Sequence, residues 1–241
     1  VFDSVGADAL RWYLSARIAP EVQKRISVKL VQEVASTFIN TYWNTYSFFV
    51  LYARLDNFDP TKDVSLRDRA NLDVWILALL QETIMRVTDA LDAYDVREAG
   101  VYVENFVDQL SNWYVRRNRR RFWKAAAGDD KQAAYLTLYE CLETVNRLIA
   151  PVMPFLSENI YQNIGWSIHS DNPISVHMAS WPTVEREKQN ASLLKEMEVV
   201  QIVVGLGRAA RNNSGVRVRQ PLARLLVRVP DEWSLNAVLE H

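Results

Sequence analysis

A single cysteine, Cys141, stands among 241 residues, which excludes an internal disulfide framework and suits a reducing compartment. It falls in an apolar helical stripe and is expected to be a buried, inert thiol. Glycine and proline are scarce, with 7 and 8 copies. So few turn formers favour long helices over a strand-rich fold. Histidine occurs only at His169, His177 and His241, and no Cys/His set has the spacing of metal ligands. Nor is there a glycine-rich phosphate loop or a Cys–His pair that could make a nucleophile. The sequence therefore predicts no catalytic residue and no metal ligand. Apolar runs such as 48–53 fall far short of the ~20 residues that span a bilayer, so no membrane partner is expected. No secretory signal opens the chain; it begins at Val1 in what reads as mid-sequence and is expected to be a piece of a larger protein. The net charge of −1 gives by itself no hint of a polyanionic partner.

What is present is a core. Apolar residues make up 49% and charged residues 24%, a globular balance in a chain long enough for one large domain with an appendage. Gly6-Ala7-Asp8 reads as the start of a short helix with Asp8 as its cap. Pro20 is placed to open a second helix over about 21–55, in which Phe48-Phe49-Val50-Leu51-Tyr52 is apolar nearly all round and is expected to be buried on several sides. Ile76, Leu80, Ile84, Val87 and Leu91 share one face of a third helix over about 68–93. Asp95 caps a fourth, with the stripe Val103, Phe106, Leu110 and Trp113. A fifth carries Tyr135, Leu138, Cys141 or Leu142, Val145 and Ile149, and a short helix spans about 154–164. A loop over 165–183 and a helix over about 188–212 follow, ended by Gly215. Alternation at Leu225, Leu226, Val227, Arg228 and Val229 predicts a strand. The fold class is mainly α, an antiparallel helical bundle with a short C-terminal α/β start.

Charge is unevenly spread. Between Gln109 and Gly128 lie six basic residues, Arg116, Arg117, Arg119, Arg120, Arg121 and Lys124, and no acid. The apolar stripe at 106, 110 and 113 is expected to lead into Arg117 and Arg120 on the same face. Arginine forks to phosphate or a base edge and stacks on rings, which suits unpaired nucleotides. Trp123 adds a flat surface for stacking, whereas Trp113 fits the core. Basic residues near a helix C-terminus also complement the macrodipole, but six exceed that need. A second basic stretch holds Arg208, Arg211, Arg217 and Arg219, and no acid occurs from 208 to 228. Asp129-Asp130 reads as a solvated loop and helix cap. On these residues alone, a helical RNA-binding module and a protein-interaction scaffold that meets an acidic partner both remain open.

Several segments together are similar to the class I aminoacyl-tRNA synthetases, in their isoleucine branch. Gly6-Ala7-Asp8-Ala9-Leu10-Arg11-Trp12-Tyr13-Leu14 resembles the segment after the KMSKS loop. Asn40-Thr41-Tyr42-Trp43-Asn44-Thr45-Tyr46-Ser47-Phe48-Phe49 resembles the first long helix of the anticodon domain. Asn112-Trp113-Tyr114-Val115-Arg116-Arg117 through Arg121-Phe122-Trp123 resembles its fourth helix. Ala150-Pro151-Val152-Met153-Pro154-Phe155 with Glu158-Asn159-Ile160-Tyr161 resembles a motif of the whole group, and Arg217-Val218-Arg219-Gln220-Pro221-Leu222 the junction to the C-terminal region. The resemblance implies residues 1–19 as a stem-contact remnant with Arg11 and Trp12, 20–182 as an anticodon-binding bundle, and 183–241 as a linker helix with the start of a C-terminal region. It implies an isoleucine tRNA and the remainder of the same synthetase chain as partners, in a monomeric cytoplasmic enzyme. ATP and magnesium belong to the full-length enzyme and no cofactor to this piece, since the family's HIGH and KMSKS signatures do not occur in it.

Overall fold

The computed structural model describes residues 2–18, 23, 26–124, 128–166, 172–217 and 219–241. Pro20 and His169 lie outside them. The chain forms two compact units, Val1–Gln189 and Asn190–His241. In the first unit the helices are α1 (Phe2–Val5), α2 (Ala7–Trp12), α3 (Val28–Val34), α4 (Asn40–Leu55), α5 (Asn71–Asp92), α6 (Val96–Gln109), α7 (Arg116–Trp123), α8 (Asp129–Ile149) and α9 (Pro154–Tyr161). The second holds α10 (Ala191–Asn213) and α11 (Glu232–Glu240). No described helix is long and apolar enough to cross a membrane.

Caps mark the helix starts. Asp95 Oδ1 accepts from the Glu98 N–H at 2.8 Å, as its position predicts. Ser27 and Asn190 do the same for α3 and α10. Asp8 departs from expectation. Gly6, at φ +88°, occupies the cap position of α2, and the Asp8 carboxylate reaches instead the first turn of α9, accepting from Leu156 N at 2.6 Å and Phe155 N at 3.4 Å. Burial pushes its carboxyl up, against those two bonds and the nearby Arg11.

The core lies around α8, where Ala133, Leu138, Cys141, Leu142, Val145 and Ile149 are fully buried. Each such large aliphatic side chain contributes roughly 1.5–3 kcal/mol. The α5 stripe Ile76, Leu80, Ile84 and Val87 is buried as predicted, with Leu91 half-buried. Alongside, α6 closes on the π-helical turn Tyr13–Arg17 at Gly100. A Cβ there would lie 2.4 Å from that of Ala16, so only glycine permits the approach.

Residues 172–189 belong to the first unit rather than to the appendage. Trp181 donates to Thr88 Oγ1 at 2.9 Å, the Glu185 N–H to Gln81 Oε1 at 2.8 Å, and Lys188 pairs with Glu140 at 2.6 Å. Glu158 anchors the start of this strap by accepting from Ser175 Oγ and Val176 N. Burial pushes the Glu158 carboxyl up, but hydrogen bonds from Gln162, Ser175 and Val176 hold it below the usual range. Asp56, also opposed by burial, is held down by Lys131 and Tyr135. A carboxylate with a depressed folded pKa contributes stability that is present above its unfolded value, near about pH 4, and lost as pH falls through the lower folded value. The urea midpoint should therefore fall below about pH 4, and Glu158→Gln should flatten that fall. Superimposable pH profiles for the two proteins would show Glu158 uncoupled from folding.

In the second unit Gly215, at φ +67°, closes α10 as expected. The strand expected at 225–229 does not form: no strand occurs among the described residues. Alternation alone cannot make a strand without a partner for its N–H and C=O groups. Leu225 and Leu226 stand exposed.

Candidate nucleic-acid interface

The basic segment is one helical run. α6 passes through a π-helical turn, Leu110–Val115, into α7. The wider turn rotates the register. Leu110, Tyr114, Asn118 and Phe122 carry the buried face onward at a spacing of four. The core stripe therefore does not lead into Arg117 and Arg120 through Trp113, as the sequence suggested. The arginines occupy the neighbouring, solvent face instead. Arg116, Arg117, Arg119 and Arg120 are exposed, and none has a carboxylate partner among the described residues. Arg117 lies over the half-buried Trp113 ring at 4.9 Å and Arg119 over Phe48 at 5.9 Å, while Lys124 sits over Trp123 at 5.5 Å. Trp123 is 64% exposed, an open ring at the end of the row.

Arg121 differs. Its guanidinium meets the fully buried Asp73 through two bonds, Nη1–Oδ1 at 2.7 Å and Nη2–Oδ2 at 2.8 Å, and pairs with Asp130 at 2.8 Å. Tyr114 OH donates to the same Asp73 carboxylate at 2.6 Å. Burial disfavours the Arg121 charge, but Asp73 more than restores it and holds the guanidinium above its ordinary value. Tyr114 is pushed up by burial and then by the Asp73 charge. This arginine docks α7 onto α5 and α8 and has little left for a nucleic acid. Asp130, read as a solvated loop residue, is its partner at the first turn of α8. Sequence reasoning missed Asp73. Its one local signal is an acid at the third position of a helix, and nothing in the sequence ties it to a residue 48 positions away.

Arg11 and Trp12 are also occupied. Arg11 donates from Nε to the Val152 carbonyl at 2.8 Å and from Nη2 to that of Pro151 at 3.2 Å. Trp12 is buried, stacked on Phe38 at 4.5 Å, and donates its indole N–H to Glu104 at 2.7 Å. These bonds tie the first helices to the α8–α9 junction and to α6. A buried indole offers no face to RNA, so a direct stem contact by Trp12 does not fit.

In the second unit Arg208, Arg217 and Arg219 are exposed. Arg211 is half-buried and folds the turn after α10, donating to the carbonyls of Arg217 at 3.1 Å and Gln220 at 2.8 Å. Of the histidines, His177 lies in a short helical turn, and His241 pairs with Glu196 at 3.2 Å. Cys141 is fully buried, and burial pushes its thiol well up.

Residues 73–227 match the family described as the anticodon-binding domain of tRNA ligase. The chain is 45% identical to an isoleucine–tRNA ligase of Deinococcus radiodurans over 238 residues, 99% of this chain. It is 46% identical to one of Thermus thermophilus over 226 residues, 93% of this chain. It spans 22% of the length of each. Among solved structures it is similar to a LeuRS of Agrobacterium radiobacter K84 in a ternary complex with tRNA and LeuAMS. That likeness has a TM-score of 0.59 at 19% identity and covers 79% of this chain and 21% of that one. It is also similar to a methionyl-tRNA synthetase of Mycobacterium tuberculosis in complex with methionyl-adenylate, with a TM-score of 0.56 at 18% identity over 73% of this chain and 38% of that one. At such identities the likeness concerns the fold alone, and it agrees with the helical bundle expected from the sequence.

Proposed function

As the chain belongs to the anticodon-binding domain family of tRNA ligases, we propose that its first unit holds the anticodon stem-loop of an isoleucine tRNA for the remainder of an isoleucine–tRNA ligase. The observation that carries this reading is the row Arg116, Arg117, Arg119 and Arg120, exposed on one helix with no carboxylate partner among the described residues. A guanidinium without a carboxylate keeps its N–H groups for phosphate oxygens or base edges. Lys124 extends the row as a point charge, and Trp123 offers a stacking face. Arg121 positions the row through Asp73. Arg208, Arg217 and Arg219 form a second contact, with Arg211 shaping their turn.

The role of this chain is binding and positioning. The whole ligase, a cytoplasmic monomer, joins isoleucine to its tRNA using ATP and magnesium. The HIGH and KMSKS signatures that would hold the nucleotide do not occur in these residues, so the chain's side chains take no part in adenylation. The isoleucine–tRNA ligases that it resembles carry this segment as 22% of a longer chain. That favours a ligase part over a free-standing RNA module or a scaffold for an acidic protein. The test is binding of the 241-residue chain to an isoleucine tRNA at several salt concentrations, beside the same tRNA with exchanged anticodon bases. Tight, salt-dependent binding weakened by the exchange is expected. Equal affinity for every anticodon would reduce the role to general RNA binding.

A further inference from the structure

The second unit is thinly packed. It runs from Asn190 to His241. Its buried apolar side chains among the described residues are Leu193, Met197 and Val200 on α10 and Ala237 on α11. Leu206, Leu225, Leu226 and Leu239 stand exposed. A unit of this size hides little apolar surface, and such units commonly rely on a disulfide, a metal or a partner to hold their elements together. A disulfide is excluded, because Cys141 is the chain's one cysteine and lies in the first unit.

The α10–α11 pair brings three donor side chains together at one place. α11 packs against α10. Ser234 and Ala237 are buried on α11, and His241 follows Ala237 by four residues, on the same face. The His241 side chain is 7% exposed, and its Nε2 stands 3.2 Å from Glu196 Oε2 on α10. Ser192 Oγ donates to the other oxygen of that carboxylate, Glu196 Oε1, at 2.8 Å and so fixes its orientation. Glu240 supplies a second carboxylate. One donor atom from each of Glu196, Glu240 and His241 lies within 4.8 Å of the other two. Glu240 has no hydrogen-bond or ion-pair partner among the described residues, and no Lys or Arg pairs with Glu196. Two carboxylates therefore meet one imidazole with no basic side chain to balance them.

We propose that Glu196, Glu240 and His241 form a site for a divalent transition ion of the zinc class, which clips α11 to α10. Zinc takes imidazole nitrogen and carboxylate oxygen at about 2.0–2.2 Å in a tetrahedral array, which sets its donors roughly 3.4 Å apart. His241 and Glu196 already have that spacing, and the exposed Glu240 side chain closes by rotation. Magnesium and calcium prefer oxygen donors throughout, so the imidazole selects against them. Three protein ligands leave a fourth position for water. His241 and Glu196 are 45 positions apart, which is why no ligand spacing shows in the sequence. The site involves neither the arginine row nor RNA, so it stands apart from the role proposed above.

The test is titration of the metal-free 241-residue chain with zinc, in competition with a chromophoric zinc chelator. One equivalent should bind in the micromolar range, and magnesium should not displace it. Glu196→Gln, Glu240→Gln and His241→Ala should each weaken zinc binding roughly tenfold or more, while His177→Ala leaves it unchanged. Glu240→Gln alters an exposed side chain without a partner, so it carries the test should either of the others loosen the helix pair. Zinc should also slow amide hydrogen exchange along α11 in wild type and not in Glu240→Gln. The absence of stoichiometric zinc binding, binding that Glu240→Gln leaves unchanged, or displacement of zinc by magnesium would each overturn the site.

Discussion

Asp73→Ala should destabilise the first unit by about 3–5 kcal/mol, the cost of removing one member of a buried ion pair. Asp73 is fully buried and accepts two bonds from Arg121, one from Tyr114 OH and one from the Ala70 N–H at 3.3 Å. Without it a guanidinium that is 14% exposed keeps only Asp130 and the Asn118 side-chain oxygen, and the buried phenol is left with the longer bond to the Ala134 carbonyl at 3.2 Å. Urea denaturation of wild type and variant measures the loss. A drop below about 1 kcal/mol would mean that water replaces the carboxylate and that Asp73 does not secure α7. Asp130→Ala is the control. Its carboxylate is largely exposed, and an exposed ion pair is worth about 0–1 kcal/mol.

The second large effect concerns binding rather than folding. The combined substitution Arg116→Gln, Arg119→Gln and Arg120→Gln should leave stability nearly unchanged, because the three side chains are exposed and glutamine matches arginine in helix propensity. Affinity for tRNA should fall on the order of a hundredfold, at ~1 kcal/mol for each exposed contact. The log–log salt slope should shrink by about 2, near 0.7–0.9 for each phosphate released. Filter binding or fluorescence anisotropy across a salt series reads both quantities. An unchanged slope would place the RNA elsewhere on the molecule. Arg121→Gln should behave in the opposite way, losing stability through the Asp73 pair.

Local signals in the sequence carried far for the fold and less far for the site. Periodicity placed the α5 stripe from Ile76 to Val87, and cap chemistry placed Asp95, because both depend on neighbours a few residues away. Gly215 closed α10 for the same reason. Asp8 misled because a capping carboxylate can serve a helix some 147 residues distant as well as its own. The segment at 225–229 misled because alternation describes a surface, not a pairing partner. In the arginine helix, an extrapolated spacing of 3.6 failed at the π-helical turn, which shifted the buried face onto Tyr114, Asn118 and Phe122. Composition counted six basic residues without an acid between Gln109 and Gly128. It could not know that Asp73 and Asp130, both outside that window, claim Arg121. The face of α4 that stays exposed was equally hidden, since an apolar residue reads the same in sequence whether or not the fold covers it.

In the proposed role, the arginine face of α7 holds the backbone of a tRNA anticodon arm. The most direct measurement is the affinity of the wild-type chain for an isoleucine tRNA as a function of salt. Four unpaired arginines that each neutralise one phosphate predict a log–log slope of about −3, with weaker binding once the anticodon is exchanged. A slope near zero would contradict the claim.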